Sequence, residues 1–163
     1  MLNVEQFKKY IVIPTLTRLK MNSSKAVNLM LGTAAQESQL TYIHQLNDGP
    51  ALGVFQVEPF TANDVYDNWL AYRPEIRDRV NEFIGLSHIE KPYPQYMKEM
   101  LIANLKFGCA ITRCNFYRRE EPLPAEDDVE GMARYWKKYH NTSIGKGTEE
   151  EFIKHYNELV KGK

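Results

Sequence analysis

"AAQESQL", residues 34–40, closes a stretch in which Ala26, Leu29, Met30, Thr33 and Ala34 recur at three- and four-residue spacing. That spacing lays a single apolar stripe along one face of a helix. The next place on the stripe is position 37, and it holds Glu37. A carboxylate there either reaches out to solvent, pairs with a lysine, or is buried and keeps its proton. The third case is chemically the interesting one, because a buried acid that is neutral at pH 7 can donate a proton.

The surroundings of this helix are helical too. Residues 3–12 predict a first helix, with Pro14 expected to force a break or restart. Asn22 or Ser23 can cap the helix that runs to Glu37. Residues 41–58 are irregular and contain Asn47-Asp48-Gly49-Pro50, a turn signal. Helices are expected at 61–72 and 74–84, the second opening on Pro74 and closing at Gly85. The longest is expected over 94–118, with Met97, Leu101, Leu105 and Ile111 along its apolar side. After the acidic, proline-rich loop EEPLPAEDD comes a helix at 128–140 carrying Val129, Met132, Ala133 and Trp136. Residues NTSIGKG form a loop, and Thr148 with Glu151 offers a capping box for a last helix ending near Val160. No internal repeat or domain-length linker interrupts the pattern. The chain therefore reads as one mainly α domain over residues 1–163, with helices around a long central core helix and little β structure.

Composition narrows the function. With 163 residues, 43% hydrophobic and 26% charged, the chain has globular values and can bury a sizeable core. Its formal net charge of +0 gives no global field for nucleic acid or an anionic membrane. No run of 18 apolar residues occurs, so no membrane insertion is expected, and the opening MLNVEQFKKY has no apolar core of signal-peptide length. Work on the far side of a membrane would then need a carrier or lysis system. Cys109 and Cys114 lie on one helix and face different directions, which predicts two buried free thiols. His44, His88, His140 and His155 are scattered without metal-ligand spacing, so no metal or other cofactor is implied.

A second polar residue among apolar ones follows Glu37 across the turn. In "ALGVFQVEPFTAND", residues 51–64, Gln56 sits among Val54, Phe55 and Val57, Gly53 permits a positive φ or close approach, and Pro59 precedes a new helix. Gln56 can hold a ligand or orient a carboxyl, or it can simply satisfy loop backbone groups. Together, Glu37-Ser38 and Gly53-x-x-Gln56-x-x-Pro59-x-Thr61-Ala62 resemble the signature of lytic transglycosylases and goose-type lysozymes. Asn104-Leu105-Lys106-Phe107-Gly108 resembles the helix that follows in those proteins, and RYWKKYHNTSIG, residues 134–145, stands where they carry an Ala-Tyr-Asn-Ala-Gly segment. The resemblance spans residues 22–145. Leu40 departs from it where an aromatic is usual, and Val54-Phe55 departs where Leu-Met is usual.

The resemblance implies a lysozyme-like fold and cleavage of the β-1,4 bond between N-acetylmuramic acid and N-acetylglucosamine in peptidoglycan. Glu37 would be the catalytic residue, acting as acid and then base, while the substrate's N-acetyl group supplies the internal nucleophile. Ser38, Gln56, Phe55, Tyr42, Tyr139 and Asn141 would bind the glycan, Tyr42 and Tyr139 as groove aromatics, with Trp69 and Trp136 left to the core. Burial against Phe55, Tyr42 and Leu40, and the negative end of the helix, would both raise the Glu37 pKa. Asp48 is the candidate second carboxylate of a hydrolytic lysozyme, although an Asp beside Gly-Pro is also an ordinary turn residue. Transglycosylase, hydrolytic lysozyme and an inactive glycan-binding or structural module remain as readings. The peptidoglycan strand is the expected partner, in the periplasm or cell wall, with the chain reaching it as part of a bacteriophage or secretion assembly.

Overall fold

Pro14 lies inside the first helix and does not end it. A computed structural model of the chain describes residues 1–141 and 145–162. Val4–Phe7, Lys8–Val12 and Ile13–Arg18 follow one another as a single helical run, α1. In the middle segment the turn widens, so that the Ile13 N–H reaches back to the Lys8 carbonyl. Proline has no N–H and its ring crowds the preceding turn, and a locally wider turn absorbs both defects. The expected break is thus an internal irregularity.

Helix α2, Ser24–Ser38, opens on Ser23, whose hydroxyl accepts the Ala26 N–H at 3.1 Å. Its stripe residues Ala26, Leu29, Met30, Thr33 and Ala34 are all buried, and so are Val27, Leu31, Gly32 and Ala35 on its other sides. A helix apolar nearly all round belongs in the interior. The irregular segment that follows holds the only extended pairings among the described residues, isolated bridges of Leu52 with His44 and with Val57. Helices α3, Pro59–Asn68, and α4, Pro74–Glu82, each begin on a proline, which suits a first turn because the N–H it lacks would have no intrahelical acceptor there. A single short turn, Leu70–Tyr72, stands between them in place of the end of the expected 61–72 helix.

The expected long helix at 94–118 is two helices, α5, Pro94–Ala103, and α6, Leu105–Tyr117. Asn104 divides them. Its backbone is extended, its side-chain oxygen accepts the Phe107 N–H at 2.9 Å, and its amide donates to the Phe83 carbonyl at 2.7 Å. An asparagine that bonds the backbone locally competes with the helical ladder and caps a new helix instead. The junction also seats Gly53 (φ +75°), where any side chain would overlap the Leu101 carbonyl oxygen.

Two helices complete the chain. Helix α7 runs over 129–141, as Val129–Trp136 continued by Lys137–Asn141, and is capped by the Asp128 carboxylate on the Gly131 N–H. Helix α8 runs over 149–161, as Glu149–His155 continued by Tyr156–Lys161, and the Thr148–Glu151 capping box is present in both directions. The molecule is mainly α. Helix α6, with ten buried residues, is its hub and touches α1, α2, α3, α4, α5 and α7. Helix α2 touches α1, α6, α7 and α8, which brings its C-terminal turn against α7. Cys109 and Cys114 are free and buried on α6, and burial pushes both thiols up, Cys114 to about 12. Among the described residues no helix is long and apolar enough to cross a membrane.

Replacing Asn104 with alanine removes the α6 cap and strands the Phe83 carbonyl. The expected result is a loss of roughly 2 kcal/mol, read as a lower urea midpoint at unchanged m-value.

Candidate active site around Glu37

The last turn of α2 is built to turn the chain back sharply. Gln39 (φ 51°) and Leu40 (φ 55°) are successive left-handed residues, a conformation that costs non-glycine side chains about 1 kcal/mol or more each. The Ser38 hydroxyl holds this reversal, donating to the Ala34 carbonyl at 3.1 Å and accepting the Leu40 N–H at 3.2 Å. Leu40 is pulled into the core by the same turn. Glu37 is left just inside the reversal, facing α7.

One face of α7 meets it. Trp136 and His140, four residues apart, share that face. The Trp136 indole N–H donates to Glu37 Oε1 at 2.7 Å, and His140 Nε2 lies 3.6 Å from the same oxygen. His140 Nε2 is also 3.0 Å from the Phe55 carbonyl, an acceptor, which assigns the proton of the neutral ring to Nε2. One end of the Glu37 carboxyl is therefore held by α7, and α7 is in turn held to the Phe55 carbonyl.

The electrostatics follow from burial. The Glu37 side chain is only 15% exposed, and desolvation raises its carboxyl from 4.5 to about 8, against the opposing effect of the Trp136 N–H. The His140 ring is 7% exposed, and burial lowers it from 6.5 to about 4, against the Phe55 carbonyl. Between these values both groups are neutral, and their proximity is a contact of an acid with a base that has not exchanged a proton. Because Oε1 accepts from the indole, the acid proton is assigned to Oε2.

The residues expected to bind substrate divide by position. Tyr42 is exposed in the loop beyond the chain reversal. Phe55 turns its ring into the core against Phe7, ring centroids 5.9 Å apart, and contributes its carbonyl to His140. Gln56 takes a left-handed φ of 48° and donates its amide to the Gly53 carbonyl at 2.8 Å, so it satisfies the loop backbone. Tyr139 and Asn141 lie on α7. The Tyr139 hydroxyl donates to Glu121 at 2.6 Å, and Asn141 Oδ1 receives the Lys137 ammonium at 2.6 Å. Asp48 is exposed in the Leu46–Asp48 turn, and Asp64 is paired with Arg118 at 2.6 Å. Residues 142–144 of the third motif lie outside the described residues. Among the described residues no group of three or more His, Cys, Asp or Glu is arranged to hold a metal ion.

Two residues were missed by sequence reasoning. Trp136 is fully buried, as expected of a core tryptophan, yet its N–H is aimed at Glu37. His140 was passed over among four scattered histidines. The available signal was their shared spacing, Trp-x-x-x-His on a helix whose other buried positions are apolar. Searches against protein-family models, curated proteins and solved structures find no match to this chain.

The two shifted groups set a pH dependence of stability. Between 4.5 and 8 the folded state holds the Glu37 proton that the unfolded chain has lost, and between 4 and 6.5 it lacks the His140 proton that the unfolded chain holds. From pH 4.5 to 6.5 these cancel. From 6.5 to 8 only the Glu37 proton remains, so stability falls as pH rises, by about 1.4 kcal/mol per unit. Urea midpoints should therefore drop over that window in the parent and stay level in Glu37→Gln, which should be the more stable protein at pH 8. An equal drop in both would assign the effect to other groups.

Proposed function

We propose that this chain cleaves the glycan strand of peptidoglycan, breaking the β-1,4 bond between N-acetylmuramic acid and N-acetylglucosamine with Glu37 as the single acid and base. The observation that carries the reading is the Glu37 carboxyl, anchored at Oε1 by the Trp136 indole and raised by burial to about 8. A general acid works best with a pKa near the working pH. Glu37 Oε2–H delivers its proton to the glycosidic oxygen as the C1–O bond breaks, and the leaving sugar departs as an alcohol. The substrate's N-acetyl oxygen stabilises the positive charge developing at C1. Glu37, now a carboxylate, then takes the proton of the C6 hydroxyl as that oxygen closes on C1. The product is a 1,6-anhydro ring and the regenerated acid, so neither water nor a second carboxylate is consumed.

The exposed position of Asp48 supports the one-carboxylate course over the hydrolytic lysozyme. An intramolecular hydroxyl also has a large effective concentration advantage over water in an enclosed site. The lysozyme-like fold, the peptidoglycan substrate, its periplasmic or cell-wall location and delivery by a phage or secretion assembly belong to the same proposal. A second reading, an inactive structural module, draws support from Ser38, Gln56 and Asn141, whose polar groups are engaged within the chain.

Turbidity clearing of cell-wall suspensions separates the two, since an inactive module leaves the suspension turbid. The parent should clear it, Glu37→Gln should lose clearing entirely, and Asp48→Asn should stay within roughly tenfold of the parent, about 1.4 kcal/mol of barrier. A loss in Asp48→Asn as large as that in Glu37→Gln would indicate a two-carboxylate hydrolase. Mass spectrometry of the released fragments should find muramic ends lighter than reducing ends by one water.

A further inference from the structure

Lys137 neighbours Trp136 in sequence, and its ammonium is enclosed by three oxygens. It donates to Asn141 Oδ1 at 2.6 Å, to the Gly145 carbonyl at 2.8 Å and to the Gly147 carbonyl at 2.7 Å. An ammonium has three N–H donors, and all three are used. Two of the acceptors belong to the turn that leads into α8, so the side chain fastens that turn to the end of α7.

The fastened turn bears on the site. A Cβ at Gly147 would meet the Trp136 ring at 2.7 Å and the Gln36 amide nitrogen at 3.2 Å, so the glycine backbone is laid directly on the indole edge and beside the residue preceding Glu37. Gln36 is fixed from its other end by His155 of α8, with Nδ1 2.7 Å from its side-chain oxygen. Phe152 of α8 packs on the Trp136 ring with centroids 5.5 Å apart. The indole is thus gripped between α8 and the 145–147 backbone, with its N–H directed at Glu37.

We propose that Lys137 is a positioning residue for the Glu37 acid: by holding the Gly145 and Gly147 carbonyls it presses the turn onto the Trp136 indole and keeps the indole N–H on Glu37 and water off it. This rests on the role proposed above for Glu37, but the arrangement itself acts on the carboxyl whether or not peptidoglycan is the substrate. Charge-assisted hydrogen bonds to three fixed oxygens specify one geometry, which a hydrophobic side chain of equal length cannot do. Releasing the turn admits water to the carboxyl, and because desolvation is the largest influence on Glu37, its pKa then falls.

The test uses the full chain with Lys137→Met, which keeps the stem and removes the charge, in a Trp69→Phe background that leaves Trp136 as the sole tryptophan. Two readouts are taken. The fluorescence maximum of Trp136 should move to the red as its ring becomes wetter. The stability drop with rising pH that belongs to Glu37 should end about one pH unit lower and be correspondingly smaller. Lys137→Arg, which keeps a charged donor, should recover part of both. If Lys137→Met does not fold, Gly147→Ala applies the displacement from the other side with the ammonium intact, and the same two shifts are expected. A variant that folds with both readouts at parental values overturns the proposal, leaving Lys137 a loop fastener only. Neither readout requires turnover, so an absence of cell-wall clearing in the parent would count against the proposed function and leave this inference to be judged on its own.

Discussion

The hydrogen bond from the Trp136 indole to Glu37, in a site dry enough to raise the acid to about 8, is the constraint around which the rest of the structure is arranged. It needs an inward-facing carboxyl at the end of α2 and an indole on the facing side of α7, at 2.7 Å. The indole hydrogen bond alone favours the charged form, and burial overrides it. The outcome is a carboxylic acid rather than a carboxylate, and its neutrality explains why it can lie beside an uncharged His140 without forming an ion pair.

Holding that arrangement requires strain nearby. Between Gln39 and Gln56 the backbone takes left-handed φ at Gln39, Leu40, Asn47, Asp48 and Gln56, as well as at Gly53. Each non-glycine instance is unfavourable alone. They persist because fixed contacts determine them: Leu40 is buried, the Ser38 hydroxyl bridges the first reversal, Gly53 abuts the α5–α6 junction, and the Gln56 amide closes on the Gly53 carbonyl. The residues that the family resemblance assigns to substrate are in part the residues that hold this loop. Phe55 serves through its carbonyl and Gln56 through a loop hydrogen bond, which leaves Glu37 as the group with an unspent proton.

How much of this was legible in sequence depended on whether the determining contacts are local. The α2 stripe, the Ser23 cap, the proline start of α4 and the Thr148–Glu151 capping box are set by residues close in sequence, and all are found as read, whereas α3 begins on Pro59, two residues before the expected start. Pro14 and Asn104 were misread because each is decided by a competition that composition does not show. At Pro14 a wider turn was less unfavourable than a helix end. At Asn104 a bond to Phe83, distant in sequence, favoured a cap over a helical interior. In the site, Glu37 stood out because it broke an apolar pattern. Trp136 and His140 did not, since a tryptophan on an apolar face looks like core, and the partner that gives each its role lies far away in the chain.

The most direct measurement is a site-resolved titration of the Glu37 carboxyl, following its side-chain carbonyl carbon by 13C NMR in the parent, with Glu37→Gln used to assign the resonance. A midpoint near 8, shifted far above the ordinary 4.5, is expected of an acid held neutral by burial against Trp136. A midpoint near 4.5 would make Glu37 an ordinary ionised carboxylate and remove the proton on which its role as an acid depends.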